Sequence, residues 1–370
     1  MSKEIKVLHV AEAAGGVERY LETLFKYNNQ NIKNILVCSQ NYNIEKFKNL
    51  YKVKQIRMKH NISLYDDLIS IFKIRKLIKK FNPDIVYAHS SKAGALARLA
   101  DIGQNNNCIY NPHGWAFNMK QSNRKKRIYT KIEKLAAHFC QKIVCISQSE
   151  YESALKYNIC SKNKLQIIYN GIDFDKFFEE SNNIPRIEIP NNSFVVGMVG
   201  RLSKQKAPDI FVQAAQKIKE YIPNAFFLMV GDGELRPQIE KQIKDLNLNQ
   251  SFCITGWVDT PASYMKLMNV GLLLSRWEGF GLVLPEYMLA KVPIIATNVD
   301  AIPNIIKNGK NGLLVKVDDS DIIAKKVNFI YKNLNIRNIL IDRAYKDVKA
   351  NFNGERVSKE TEELYWALKG

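Results

Sequence analysis

Residues 194–208 read FVVGMVGRLSKQKAP, and this stretch indicates the fold. It opens on a run of apolar residues and glycine without period-two alternation, which is typical of a strand that is buried on both faces. A polar loop follows, and Pro208 occupies the first-turn position that proline favours at the start of a helix. A strand, a loop and a helix in this order are the repeating unit of an α/β fold with a parallel sheet.

The same alternation of apolar runs and helical patterns extends in both directions along the chain. Strand-like runs in the first half are residues 6–11, 34–38, 84–89, 108–111, 142–147 and 166–170. Those in the second half are residues 194–200, 225–231, 252–255, 270–275, 293–297 and 312–315. Helical patterns such as residues 68–81 and 124–139 lie between them. The pattern predicts two Rossmann-like domains, and because ligands bind beyond the carboxyl ends of parallel strands, we expect these domains to face each other across a ligand-binding cleft.

The length of 370 residues exceeds one compact core and suits two domains of ordinary size. Residues 173–193 are rich in acidic residues, Asn and Pro, which makes this segment the best candidate for a linker. We therefore predict a first domain over residues 1–178, a linker over 179–193 and a second domain over 194–352. A helical pattern fills residues 353–370, and we expect this helix to cross back to the first domain.

The composition is that of a basic globular protein. Hydrophobic residues make up 46% of the chain and charged residues 25%, and no apolar run approaches the roughly 20 residues that span a bilayer. The formal net charge is +19, and residues 1–180 hold 30 of the 55 Lys and Arg but only 16 of the 36 Asp and Glu. This asymmetry indicates an anionic partner, and composition leaves nucleic acid, a membrane surface and a phosphorylated substrate open.

Neither the cysteines nor the first residues indicate secretion. The six cysteines form no CxxC pair and have no His-rich partner segment, so their spacing favours reduced thiols over a zinc site or disulfides. Residues 1–8 lack the apolar core of a signal peptide and read directly as a first strand. We therefore expect a cytoplasmic location.

Two glycine-containing motifs follow predicted strands. Gly15-Gly16-Val17-Glu18 precedes a helical pattern, where open backbone amides at a helix N-terminus attract an anion, although a tight turn that requires Gly is the simpler interpretation. Residues 278–286 read EGFGLVLPE, and the amides of the Gly-Phe-Gly segment are expected to point at a diphosphate over the next helix end. Glu278 and Glu286 flank that anion site and are suited to accept hydrogen bonds from sugar hydroxyls. The alternative is a glycine-rich turn with ordinary surface glutamates.

The loop of the opening stretch carries two cations. Arg201 follows the strand directly, and Lys206 lies near the end of the same loop. Guanidinium and ammonium groups in this position can neutralise the phosphates of a leaving group. Solvated surface charges are the alternative for either residue alone.

Seven short motifs occur in the order and with the spacing of one known family. They are Gly15-Gly16-Val17-Glu18, His113-Gly114, Asn170-Gly171-Ile172-Asp173, Gly200-Arg201-Leu202 with Lys206, Gly231-Asp232-Gly233-Glu234, Gly256-Trp257-Val258 and the EGFGLVLPE of residues 278–286. Together they resemble family 4 of the two-domain (GT-B fold) glycosyltransferases, which retain the anomeric configuration of the transferred sugar. The resemblance spans nearly the whole chain. It implies an acceptor-binding first domain and a nucleotide-sugar-binding second domain.

The resemblance also implies roles for the matching residues. The donor-binding residues would be Gly16, Arg201, Lys206, Val258, Glu278, Phe280, Gly281, Leu282 and Glu286. The catalytic residues would be His113, Arg201, Lys206 and Glu278. Within these sets, Arg201 and Lys206 would hold the diphosphate, and His113 would lie beside the anomeric centre. Glu278 would bind hydroxyls of the transferred sugar, and Glu286 those of the ribose.

A further segment of the first domain is expected to bind the acceptor. Residues 89–98 read HSSKAGALAR and resemble a subset that builds capsular and other exopolysaccharides, so Ser91, Lys92 and His113 are expected to contact the acceptor. A helix start capped by Ser90 or Ser91 is compatible with this interpretation.

In the helix after residue 282, this chain has Tyr287 and Lys291 where the family often has small residues, which puts the local packing there in question.

The expected chemistry is front-face displacement without a metal or other cofactor. No carboxylate is evident as a nucleophile, because Glu278 is assigned to hydroxyl binding. The acceptor hydroxyl would attack from the side of the leaving group and give its proton to the departing phosphate. Two cations and a helix end would supply the counter-charge. UDP-sugars are the commonest donors of such enzymes, while GDP- and dTDP-sugars stay open.

Basic stretches over residues 73–80 and 120–134 suggest a membrane partner. Apolar residues interleave with their charges, as in an interfacial helix, although they equally suit the buried stripes of two solvated helices. We therefore expect a nucleotide-sugar donor, an acceptor on a lipid diphosphate and peripheral binding to the anionic inner face of the plasma membrane. The pathway would be bacterial surface-polysaccharide synthesis.

Two other classes of protein fit less well. A nucleic-acid-binding protein would explain the pI of about 9.5, but no RNA-binding signature is present and basic charge does not account for Glu278 and Glu286. A nicotinamide-dependent oxidoreductase would need GxGxxG after a strand, and the motif at Gly231 does not fit that pattern. The sequence therefore predicts no nucleic-acid partner.

Overall fold

The computed structural model describes residues 4–13, 15–59 and 63–370, and the chain divides into two compact units. The first unit consists of Met1–Gly171 and Gly354–Gly370, and the second of Ile172–Asn353. The division therefore falls after Gly171, ahead of the linker expected at residues 179–193. The reason is a helix over Phe174–Ser181, which packs within the second unit against a helix over Pro261–Met265.

The first unit is built on a parallel sheet in the strand order β3-β2-β1-β4-β5-β6-β7. Its strands are β1 (Ile5–Ala11), β2 (Ile32–Cys38), β3 (Lys52–Gln55), β4 (Ile85–His89), β5 (Asn107–Asn111), β6 (Lys142–Cys145) and β7 (Leu165–Ile167). Its helices are α1 (Gly16–Tyr27), α2 (Leu64–Phe81), α3 (Ser91–Asp101), α4 (Asn123–Ala136), α5 (Gln148–Lys156) and the last helix of the chain, α14 (Gly354–Lys369). Short 3₁₀ segments cover Ile44–Phe47, Ala116–Asn118, Ala137–Phe139 and Lys162–Lys164.

Each face of the first sheet has its own hydrophobic core. Side chains of α2 and α3, such as Ile74 and Ala97, pack with one face. Those of α1 and α14, such as Leu24 and Tyr365, pack with the other. A strand that lies between two such layers is apolar on both sides, which explains why the strands of this unit read as continuous apolar runs. The C-terminal helix packs on the first unit, as expected from the sequence.

The second unit is also a parallel sheet, in the order β10-β9-β8-β11-β12-β13. Its strands are β8 (Phe194–Val199), β9 (Ala225–Val230), β10 (Phe252–Ile254), β11 (Val270–Leu273), β12 (Ile294–Thr297) and β13 (Leu313–Val315). Its helices are α6 (Phe174–Ser181), α7 (Pro208–Tyr221), α8 (Arg236–Asp245), α9 (Pro261–Met265), α10 (Val283–Leu289), α11 (Ile302–Ile305), α12 (Ser320–Lys332) and α13 (Leu334–Asn351), with a 3₁₀ segment at Asn249–Ser251. Each unit therefore places its first strand centrally and reverses strand order beside it, which is the Rossmann-like arrangement.

Candidate active site

The two central strands of the second sheet end in loops that meet at Lys206 and Glu278. Lys206 lies in the loop between β8 and α7, and Glu278 lies in the loop between β11 and α10. The ammonium of Lys206 forms an ion pair with Oε2 of Glu278, and the Ser275 hydroxyl donates a hydrogen bond to the same oxygen at 2.9 Å. The Glu278 side chain is only 9% exposed, so this carboxylate is compensated by a charge and a hydroxyl rather than by bulk water.

A second ion-pair cluster fixes the two loops against each other. The Arg276 guanidinium contacts Asp209 at 2.6 Å and Asp318 at 2.7 Å, and it also donates to the Lys204 carbonyl at 3.0 Å. The Arg276 amide donates to the carbonyl of Gln205 at 2.8 Å. Because Arg276 immediately follows Ser275 and Gln205 immediately precedes Lys206, these bonds set the distance between the ion-pair partners.

The Gly-Phe-Gly segment is anchored by the ring between its glycines. Phe280 is buried and packs edge to face on Phe352, with ring centroids 5.8 Å apart. Gly281 has a φ of +85°, and an added Cβ would lie 3.1 Å from a methyl carbon of Leu273. The positive φ strains any other residue there, and the close methyl carbon adds to the preference for glycine. The helix α10 begins directly afterwards, and Glu286 is buried in its first turn.

The remaining donor residues of the second unit are more exposed. The Arg201 side chain is 65% exposed and forms an ion pair with Glu234 at 3.0 Å. Among the described residues, Arg201 and Glu278 make no direct contact. Val258 follows β10 and is half-buried, beside the exposed indole of Trp257. Among the described residues predicted for the donor site, Lys206 and Glu278 are in direct contact, and a Cβ added to Gly281 would lie 3.3 Å from a side-chain carbon of Glu278.

Tyr287, where the chain departs from the family, is accommodated by a glycine on the neighbouring strand. Its ring is fully buried and covers Gly271 of β11, where an added Cβ would lie 3.0 Å from ring atoms. The hydroxyl accepts a hydrogen bond from the Val199 amide at 3.0 Å, and burial raises the pKa of this hydroxyl. Tyr287 thus ties α10 to the end of β8, one residue before the loop that carries Arg201 and Lys206.

In the first unit, His113 belongs to a row of three histidines. Nε2 of His113 lies 3.0 Å from Nδ1 of His89, and Nε2 of His89 lies 3.1 Å from Nδ1 of His9. Nε2 of His9 lies 3.1 Å from the amide oxygen of Asn34. Burial lowers the pKa of His9 and of His113 to about 3, and it holds the pKa of His89 well below its usual value. All three rings are therefore neutral near pH 7.

The other residues predicted for the first domain lie at two helix starts. Ser91 opens α3, and the ammonium of Lys92 contacts a carboxylate oxygen of Asp67 in α2 at 2.5 Å. Gly16 opens α1, and no described residue comes within 4 Å of a Cβ added there. Crowding by the described residues therefore does not account for glycine at position 16.

Sequence reasoning did not single out Ser275 and Asp300, although both support Glu278. Ser275 donates to the Glu278 carboxylate, and Asp300 accepts a hydrogen bond from the Glu278 amide at 2.9 Å. Ser275 ends an apolar run, where a buried polar residue is a usable signal. Asp300 is 22 residues from Glu278 in sequence, so only the loop geometry reveals its contact.

Acidic residues show no metal cluster in the part of the chain that the structure describes. No group of three or more His, Cys, Asp or Glu side chains there is arranged to hold a metal ion. Two Asp-x-Asp sequences occur, and in each the first carboxylate caps a helix. Asp173 accepts from the Lys176 amide at 3.1 Å, and Asp319 accepts from the Ile322 amide at 3.0 Å.

The basic stretches of the first unit lie on helices with exposed apolar side chains. On α4, Ile128, Ile132 and Leu135 are between 40% and 67% exposed and follow one another at helical spacing. On α2, Leu64, Leu68 and Phe72 are between 57% and 83% exposed. Of the apolar residues expected to interleave with the charges of residues 73–80 and 120–134, only Ile128 and Ile132 are exposed, because Leu64, Leu68 and Phe72 precede the basic stretch of α2. Several others belong to the core instead, namely Leu77, Ile78, Phe81 and Tyr129. None of the helices over residues 4–13, 15–59 and 63–370 is apolar over a length that could cross a bilayer.

Comparison with known proteins identifies the family. The family model described as "Glycosyltransferase Family 4" matches residues 14–176, and that described as "Glycosyl transferases group 1" matches residues 179–347. The chain is 34% identical, over 269 residues and 70% of each protein, to UDP-Gal:alpha-D-GlcNAc-diphosphoundecaprenol alpha-1,3-galactosyltransferase of Escherichia coli. It is 29% identical to the capsular polysaccharide biosynthesis glycosyltransferase CapM of Staphylococcus aureus, over 84% of this chain and 83% of CapM.

A solved structure shows the same fold. HepE of Anabaena in complex with UDP-glucose is similar with a TM-score of 0.84 at 20% sequence identity, and the match covers 98% of this chain and 100% of HepE. The motifs, the two Rossmann-like sheets and these matches agree with one another. The chain belongs to glycosyltransferase family 4 and has the GT-B fold.

Proposed function

We propose that this glycosyltransferase moves a sugar, with retention of anomeric configuration, from a UDP-sugar to a saccharide on a lipid diphosphate. The observation that carries the proposal is the pairing of Lys206 with Glu278 beside the Gly-Phe-Gly turn. A cation, a buried carboxylate and a glycine-containing turn that leads into a helix are the groups that suit a diphosphate-linked sugar. In this proposal Lys206 turns to the diphosphate and Glu278 accepts from a sugar hydroxyl. The remaining donor contacts are Gly16, Arg201, Val258, Phe280, Leu282 and Glu286.

The proposed reaction needs neither a covalent intermediate nor a metal. The oxygen of the acceptor hydroxyl bonds to the anomeric carbon from the same side on which the bond to the β-phosphate oxygen breaks. The hydroxyl proton passes to that phosphate oxygen, and the nucleoside diphosphate leaves. Lys206 and Arg201 stabilise the charge that develops on the leaving group, where a cation is most effective. His113 accepts a hydrogen bond from the reacting sugars, and Ser91 and Lys92 bind the acceptor.

Relatives support the substrates and the pathway. The name of the E. coli relative specifies a UDP-sugar donor and an acceptor on a lipid diphosphate, and CapM belongs to capsular polysaccharide biosynthesis. We extend both to this chain and assign it to bacterial surface-polysaccharide synthesis. The exposed apolar and basic face of α4 supports peripheral binding to the cytoplasmic face of an anionic membrane.

One assay tests the donor, the acceptor and the stereochemistry together. The purified chain is incubated with UDP-, GDP- and dTDP-sugars and with N-acetylglucosamine on an undecaprenyl diphosphate, with and without EDTA. We expect transfer from a UDP-sugar, an axial linkage from an axial donor in the NMR spectrum of the product, and unchanged rates in EDTA. An inverted product would contradict the front-face reaction. Loss of activity in EDTA that magnesium or manganese restores would contradict the metal-free one.

A further inference from the structure

At one end of the row of three histidines in the first unit, His9 contacts the amide oxygen of Asn34, and this contact determines which ring nitrogens carry a proton. We infer that Asn34 acts through His9 and His89 to hold His113 in one tautomer, with the proton on Nε2 and an unprotonated Nδ1. Asn34, His9 and His89 are then positioning residues for His113. The tautomer is a property of the folded chain, whereas its effect on catalysis rests on the proposed glycosyl transfer.

The strand register explains how the row forms. It crosses the adjacent strands β2, β1 and β4 and ends just after β5. His9 is in register with Leu36 of β2 on one side and with Tyr87 of β4 on the other. Asn34 lies two residues before Leu36, and His89 lies two residues after Tyr87. In the same way, His113 lies two residues after Asn111, the partner of His89. Residues two apart within a strand share a face, so Asn34, His9 and His89 lie diagonally next to one another, while His113 continues the row from the loop after β5.

The hydrogen-bond roles follow from the neutral charge of the rings. A neutral imidazole has one donor nitrogen and one acceptor nitrogen. The amide oxygen of Asn34 can only accept, so Nε2 of His9 carries its proton and Nδ1 of His9 accepts from Nε2 of His89. Nδ1 of His89 is then unprotonated and accepts from Nε2 of His113. The remaining nitrogen of His113, Nδ1, is therefore a lone-pair acceptor.

The position of the His113 ring is fixed as well as its tautomer. The ring of Tyr20 meets it edge to face, with centroids 4.7 Å apart, and the Tyr20 hydroxyl lies 3.3 Å from that of Tyr87. The His113 amide donates to the Asn111 side chain at 2.9 Å. A ring held in this way can accept a hydrogen bond from a sugar hydroxyl at Nδ1. It cannot donate from Nδ1 to a phosphate, so its role differs from that of Lys206 and Arg201.

Nitrogen NMR of the full chain tests the tautomer directly. The chain has five histidines, so spectra of protein labelled with ¹⁵N-histidine are simple to assign with His113→Asn and His138→Gln variants. We expect a pyrrole-type Nε2 and a pyridine-type Nδ1 for His113 in the parent chain at neutral pH. In Asn34→Leu, both His113 signals should move towards the averaged values of mixed tautomers. A protonated Nδ1 in the parent chain, or unchanged His113 signals in Asn34→Leu, would overturn the inference.

Two controls separate the row from general loosening of β2. Leu36→Ala removes a buried side chain from the same strand and the same face without touching the hydrogen bonds, so it should leave the His113 tautomer unchanged. If Leu36→Ala shifted the tautomer as much as Asn34→Leu does, the effect would belong to packing and the inference would be wrong. The signals of His138, which lies outside the row, should stay constant throughout.

Kinetics then test the link to catalysis through a double-mutant cycle. Asn34→Leu should lower kcat/KM roughly two- to tenfold, the range expected when one neutral hydrogen bond to substrate is weakened. The same substitution in a His113→Ala background should have no further effect, because it acts only through His113. An equal loss in both backgrounds would contradict the positioning role. A chain with the expected NMR spectra but no transfer activity would instead count against the proposed function alone.

Discussion

The Glu278 carboxylate shows how one residue can be buried and still available to a ligand. Its hydrogen bonds from Ser275 and Lys206 both reach Oε2, so among the described residues Oε1 keeps its acceptor capacity. A carboxylate has about four lone-pair sites, which is enough for these donors and for a substrate hydroxyl. Lys206 is the member of the pair that can move, because its long side chain is 19% exposed.

Replacement of Glu278 by Gln is expected to lower kcat/KM at least tenfold with the fold intact. The charged acceptor for a sugar hydroxyl is lost, and such a bond contributes roughly 1.5–3 kcal/mol. Glu234→Gln is the matched control, because it removes the exposed partner of Arg201, and such surface pairs contribute about 0–1 kcal/mol. Steady-state assays with circular dichroism compare the two. Parent-like activity of Glu278→Gln would refute the donor-site assignment.

Replacement of Tyr287 by Phe is expected to destabilise the second unit by about 1–3 kcal/mol. The ring still fills the space over Gly271, but the half-buried Val199 amide loses the buried hydroxyl that accepts its hydrogen bond. Tyr331→Phe is the control, because Tyr331 is 40% exposed. Urea unfolding measures both variants. If Tyr287→Phe were as stable as Tyr331→Phe, the Val199 hydrogen bond would not contribute to the fold.

At the scale of elements, α4 has two faces with different partners. Glu133 is buried on the inner face and forms an ion pair with Arg98 at 3.0 Å. The outer face exposes a stripe that includes Ile128 and Leu135. Arg124 lies one turn before Ile128 and Lys131 one turn before Leu135, so cations flank the stripe. This combination of exposed apolar and basic side chains is typical of a helix at a membrane interface.

Combined neutralisation of Arg124, Lys125, Lys126 and Arg127 is expected to reduce binding to anionic vesicles. Each basic residue near such a surface contributes about 1 kcal/mol, screened over roughly 8 Å at physiological salt, so the parent's binding should also weaken as salt rises. Co-sedimentation with anionic and neutral vesicles measures this effect. Neutralising Lys241 and Lys244 on α8 of the second unit serves as the control. Equal retention on both vesicle types, or none on either, would contradict the membrane proposal.

The elements that could be predicted from sequence are those whose signal is local. Apolar runs located the other strands of both sheets to within a few residues, because a strand covered on both faces is apolar throughout. β3 was not predicted, since three of its four residues are exposed and it carries no apolar run. The EGFGLVLPE motif located Glu278 and Gly281, but the contacts of Asp300 and the row from Asn34 to His113 depend on strand register and loop geometry. Sequence spacing does not contain that information.

At the scale of the whole molecule, the two units differ in how the chain forms them. The second unit is continuous, whereas the first takes its last helix from the other end of the chain. Val357, Leu364 and Tyr365 of that helix are buried in the first unit's core. The Ser358 hydroxyl donates to the Asn28 side chain at 2.6 Å. The last residues of the chain are thus part of the core around β1.

A chain that ends at Asn353 is expected to keep a folded second unit and to lose cooperative folding of the first. As a milder test, Tyr365→Ala should destabilise the first unit by roughly 3–5 kcal/mol, because a large aromatic side chain leaves a cavity. Glu363→Ala, on the exposed face of the same helix, should change stability by less than about 0.5 kcal/mol. Hydrogen exchange followed by mass spectrometry assigns each loss to its unit. Uniform protection in the truncated chain would show that α14 is dispensable.

The split first unit also affects the order of events on the ribosome. Domains generally fold as they emerge, the N-terminal one first. Here the residues that complete the N-terminal unit are synthesised after the whole of the second unit, so the second unit can finish folding before α14 packs against the α1 side of the first sheet. We expect nascent chains arrested after Asn353, with a linker filling the exit tunnel, to resist protease in residues 172–353 and to be cleaved in the first unit. A nascent chain protected throughout would show that the first unit forms before α14 arrives.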